Sequence, residues 1–161
     1  MTGKSSSILI GVLFYVFGGL LLQLLASGSQ IVSGTLGCLI PIVAAMIAVW
    51  HYTSNNTLTI PAGEGAGMGA LTGLGGAVIG GILGLLLVSM GALPDPMDVA
   101  MEQMRSQGLS EEQIEQSMGI AGSMGGPIGI LIGAVFGAVL GAIGGAIGAA
   151  VFKKGGDAPA I

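Results

Sequence analysis

The sequence predicts an all-α membrane protein: a four-span transmembrane bundle with glycine-zipper packing and a short amphipathic helical segment outside the bilayer. Three observations lead there. The chain is 52% hydrophobic and only 7% charged, against roughly 25% charged in soluble domains, and its mean hydropathy is +0.92. Four apolar stretches, at 7–26, 31–50, 66–90 and 127–152, reach the roughly 20 helical residues that cross a bilayer core. From just before the last of them, Gly125, Gly129, Gly133, Gly137, Gly141 and Gly145 recur every four residues, beside a column of Ala134, Ala138, Ala142, Ala146 and Ala150. Residues four apart share a helix face. In water each such glycine would weaken a helix by about 1 kcal/mol relative to alanine. In lipid, where backbone groups must bond internally, the helix persists and the bare strip becomes a docking surface.

The first span follows Lys4, and its apolar run of about 18 residues exceeds the roughly 7–15 of a secretory leader's core. It therefore reads as a span and not as a cleaved signal. Residues 27–30 are too few for anything but a tight turn, so spans one and two form an antiparallel hairpin. Pro41 predicts a local kink in span two, its freed carbonyl satisfied by neighbours. Trp50, His51 and Tyr52 read as an interfacial aromatic anchor, and a polar loop is expected from 53 to 63. Cys38 lies in an apolar run and reads as a small buried hydrophobe.

Span three carries Gly65, Gly69, Gly73, Gly76, Gly80 and Gly84, so the natural proposal is antiparallel packing of spans three and four through their glycines. A strict four-residue repeat advances about 40° per step on a helix of 3.6 residues per turn. From Gly125 to Gly145 the strip thus winds roughly 200°, more than one straight neighbour covers. Gly144 and Gly148 partly correct that drift. A second neighbour is expected: span one, span two, another copy or a different subunit. Dense glycine would also permit helices to slide past one another.

Between these spans, residues 92–124 hold most of the acidic charge and the clearest local helix signals. Asp95 suits an N-cap and Pro96 a first helical position. Gly108 is a stop, and Ser110 with Gln113 forms a capping box. Two short helices are expected, at 97–107 and 110–119. Their apolar faces are Met97, Met101 and Met104, then Ile114 and Met118, opposite Asp98, Glu102, Glu111, Glu112 and Glu115. These five apolar residues are candidates for contact with a partner or the membrane surface. Methionine thioethers can bind Cu(I), but adaptable apolar packing accounts for them more simply, and no cofactor or metal is expected.

Chemistry is sparse elsewhere. Gly63 to Gly69 superficially matches a dinucleotide-binding loop, which needs a preceding strand and a βαβ unit. Asn55-Asn56-Thr57 matches a glycosylation sequon that the predicted cytoplasmic side makes incidental. His51 is the only histidine, so no base–nucleophile set or metal cluster is expected beyond a possible His51–Glu64 interfacial pair. No ionisable group falls within a span, where coupled carriers keep theirs; Gln23, Ser33, Thr35 and Thr72 are the polar groups there. Four Lys or Arg in the whole chain exclude a nucleic-acid surface. Lys4, Lys153 and Lys154 against Arg105 place both termini in the cytoplasm and 92–124 outside, by the positive-inside rule.

The run from span three onward, with "GALPDP", "MEQMRSQGLSEEQIEQ" and a final span ending in "FKK", resembles an uncharacterised bacterial family of four-span proteins, a domain of unknown function. The resemblance covers about 65–154. It implies an inner-membrane location and four spans, and no activity. Residues and resemblance together predict a single membrane domain without enzymatic activity: a structural or accessory subunit whose partners are membrane lipid, other membrane subunits or itself. The alternative is a small channel or uncoupled transporter built from an oligomer.

Overall fold

A computed structural model describes residues 3–25, 30–124 and 126–153. Of the turn expected at 27–30 only Gln30 is described, and it opens the second helix; Gly125 and Lys154 lie outside the described residues, as do the side chains of Gln23, Ser33 and Thr35. The described residues form six helices and no strand: α1 Lys4–Leu25, α2 Gln30–Asn56, α3 Ala62–Ser89, α4 Pro96–Ser106, α5 Glu111–Met124 and α6 Gly126–Val151. Four of them, α1, α2, α3 and α6, are long and apolar enough to cross a membrane.

Several boundaries differ from the sequence expectation, each for a local reason. Helix α2 runs on to Asn56 instead of ending near Trp50. Its last turn is held by side chains bonding back along the helix, Thr53 Oγ1 to Val49 O at 3.0 Å and Asn55 Nδ2 to His51 O at 2.9 Å. It stops where Thr57 turns left-handed, at φ 50°, letting Leu58 N donate to Thr53 O at 3.2 Å. Glycine would normally fill that position; a β-branched residue there is an outlier. Helix α3 starts four residues early, its first free N–H groups at Glu64 and Gly65 donating to Pro61 O at 3.0 and 3.1 Å. The polar loop therefore shrinks to 57–61. Pro41 sits inside α2, which continues through it, and Cys38 is exposed, not buried.

Contacts divide the chain into two compact units, one comprising Met1–Gly80 with Gly133–Ile161, the other Gly81–Ile132. In the first, α1 runs antiparallel to α2, with Ser7 beside His51 and Gly18 beside Ile40. It runs parallel to α3, with Val12 beside Gly75. Helix α6 is antiparallel to α3, with Gly145 beside Gly65 and Gly137 beside Gly73, and parallel to α2, with Gly144 beside Ile42 and Gly148 beside Met46. The adjacency α1–α2–α6–α3 closes on itself. At one end Val49, Ile60, Met68 and Ala149 form a small core, flanked by Ile8 and Tyr52. The large residues left exposed on the spans, among them Leu9, Phe17, Leu131 and Phe136, are those that lipid would meet.

In the second unit, α3 ends at Gly91, φ 72°, with Gly91 N bonded to Val88 O and Ala92 N to Leu87 O at 2.9 Å each. This is a Schellman end. Asp95 then caps α4, accepting from Met97 N at 2.8 Å. Gly108, φ 79°, ends it with the same pair of bonds to Arg105 and Met104. Ser110 and Gln113 exchange reciprocal bonds at the start of α5. Helix α5 extends to Met124, beyond the expected end at 119, because no proline interrupts the run. Helices α4 and α5 pack on each other.

Candidate functional site

The seam between α3 and α6 is built at backbone distance. A Cβ on Gly69 or Gly73 would overlap the carbonyl oxygen of Gly141 or Gly137, and one on Gly65 would stand 2.5 Å from that of Gly145. The relation is reciprocal: a Cβ on Gly141 or Gly145 would strike the carbonyl of Gly69 or Gly65, and one on Gly137 would lie 2.7 Å from that of Gly73. The hydrogen standing in place of each Cβ points at the opposing oxygen, the geometry of a Cα–H···O contact, worth about 0.5–1 kcal/mol each. No other residue type allows these six positions to approach so closely.

Two further seams complete the packing. On α6, a Cβ at Gly144 would overlap Ile42 O, and at Gly148 it would lie 3.2 Å from Val49 Cβ and 3.3 Å from Met46 Cα. Span two is thus the second neighbour that the winding strip required. On α1, a Cβ at Gly11 would lie 2.7 Å from Thr72 Cγ2 and 2.9 Å from Ala44 O, while Gly76 is covered by the Tyr15 ring. Gly76 therefore serves α1 and not α6.

The remaining glycines singled out in the sequence stand apart. Around Gly80, Gly84 and Gly133 no described atom beyond the adjoining residues and backbone of the same helix lies within 4 Å of where a Cβ would be. Gly129 is half-buried. In the second unit Ile114 is 3% exposed, and Met97, Met101, Met104 and Met118 are half-buried while Asp98, Glu102, Glu111, Glu112 and Glu115 are exposed. Arg105 pairs with Glu111 at 3.2 Å.

Polar groups gather at one end of the first unit. Ser7, fully buried, lies 3.0 Å from His51 Nδ1. The two side chains share one hydrogen bond, whose donor is set by the imidazole tautomer. The Lys4 ammonium pairs with Glu64 at 2.5 Å and stands 6.0 Å from the Tyr52 ring centroid. The expected His51–Glu64 pair is therefore replaced by two ties, α1 to α2 and α1 to α3. The cause is that α1 starts at Lys4, three residues earlier than expected, which brings Lys4 and Ser7 level with the ends of the other two helices.

His51→Ala is expected to cost about 1–3 kcal/mol by orphaning the buried Ser7 hydroxyl, and Ser7→Ala in that background to recover most of the loss. A double-mutant cycle on unfolding in detergent checks this; additive effects would mean that the bond contributes nothing. The half-exposed Lys4–Glu64 pair contributes no more than about 1 kcal/mol. The chemistry available here is helix fastening. Among the described residues no cluster of His, Cys, Asp or Glu could hold a metal ion.

Sequence reading missed Gly11, because one glycine in a span has no repeat to mark it. It read Gly144 and Gly148 as partly correcting the drift of the one strip, whereas they form a separate column facing α2. It missed the roles of Lys4, read as a residue flanking the first span, and of Ser7, read as that span's first residue.

A family model described as a protein of unknown function (DUF4199) matches residues 5–154. No curated protein and no solved structure matches the chain.

Proposed function

The chain belongs to the DUF4199 family of unknown function, and from that premise and the helix seams we propose that it is a non-enzymatic structural or accessory subunit that acts by helix packing. Its partner is a second copy or another membrane protein. The observation that carries this reading is the division among the glycines. Gly65, Gly69, Gly73, Gly137, Gly141 and Gly145 are consumed by the chain's own fold, whereas Gly133, which continues the α6 column, and Gly80 and Gly84, which follow Gly76 at four-residue steps on α3, have open space beside them. A helix has no intrinsic reason to keep glycine there, since alanine favours helix by about 1 kcal/mol. A close-approaching helix from outside the chain supplies one.

The two buried threonine hydroxyls support packing over transport. Thr53 and Thr72 turn theirs to carbonyls of their own helices, Val49 O and Met68 O, which leaves them unaimed at a solute. We place the protein in a bacterial inner membrane, with both termini cytoplasmic and 92–124 external, on the lysine bias of the termini.

Native mass spectrometry of the protein, extracted gently from its own membrane, tests the proposal. A heteromeric or homo-oligomeric assembly is expected, and Gly133→Leu should release the partner while the extracted chain stays folded. A bare monomer would overturn the reading, leaving the glycines to hold this one bundle together. A closed homo-oligomer that passes ions in liposomes would replace it with a channel.

A further inference from the structure

We draw no further inference here: the strongest candidate, the open spaces beside the half-buried Gly19, Gly80 and Gly133 on α1, α3 and α6, is a surface of small residues and nothing in the structure shows what covers it.

Discussion

Gly73→Ala or Gly141→Ala is expected to destabilise the bundle by about 1–3 kcal/mol, while Gly133→Ala or Gly80→Ala leaves it unchanged or up to about 1 kcal/mol more stable. The substitution is the same in all four cases, one methyl group on a helical glycine, so the sign separates two physical terms. Intrinsic helix preference favours alanine everywhere. Steric room favours it only where there is space. At Gly73 the added carbon would overlap the carbonyl oxygen of Gly137, and at Gly141 that of Gly69. Both obstacles are backbone, which cannot rotate away as a side-chain tip can. The helices must separate, and the other Cα–H···O contacts along the seam lengthen with them. At Gly133 and Gly80 no described atom of another helix lies within 4 Å, so only the propensity term remains. Equilibrium unfolding in mixed detergent micelles, followed by the fluorescence of the single tryptophan, Trp50, reads all four variants. Equal effects at Gly73 and Gly133 would refute the seam as described.

This contrast also marks how far the sequence could be read. The four spans and the pairing of α3 with α6 were legible because they rest on periodicity. Apolar runs have a length, glycine columns have a spacing, and both are fixed by helix geometry before any partner is known. The caps of α4 and α5 were legible for a related reason: Asp95, Gly108, Ser110 and Gln113 act on their own backbone within a turn or so. What the sequence withheld was every feature decided by a neighbour. The four-residue spacing runs through Gly76, Gly80 and Gly84, and through Gly133, as regularly as through Gly65, Gly69 and Gly73, and nothing in the letters says which members meet a helix. The end of α2 was missed because Thr57 adopts a left-handed backbone that glycine would have advertised. The His51–Glu64 expectation failed because proximity along a membrane face is shared by Lys4 and Ser7, and a carboxylate takes an ammonium before a half-buried imidazole.

A spacing of four on both helices leaves the α3–α6 seam degenerate, and α2 is expected to resolve it. Slipping α6 by one four-residue step would set Gly141 against Gly65, Gly137 against Gly69 and Gly133 against Gly73, still glycine on glycine throughout. The seam alone cannot prefer one register strongly over the other. The second column does. In that slip Leu140 would stand where Gly144 now meets Ile42 O, and in the opposite slip Phe152 would stand where Gly148 meets Val49 and Met46. Neither place accepts a side chain. Gly144→Leu should therefore cost about 3 kcal/mol or more and, by lifting α6 off α2, release the register of a seam it does not touch. Spin labels on Leu74→Cys and Val151→Cys in a Cys38→Ser background report this directly, since both positions are exposed. The unaltered seam should give one distance. Gly144→Leu should add populations displaced by about 6 Å along the helix axes, four residues at 1.5 Å rise each. A single unchanged distance in Gly144→Leu would show that α3 and α6 hold their register without α2. The sliding that a glycine-rich pair invites would then be prevented by something other than the second column of glycines.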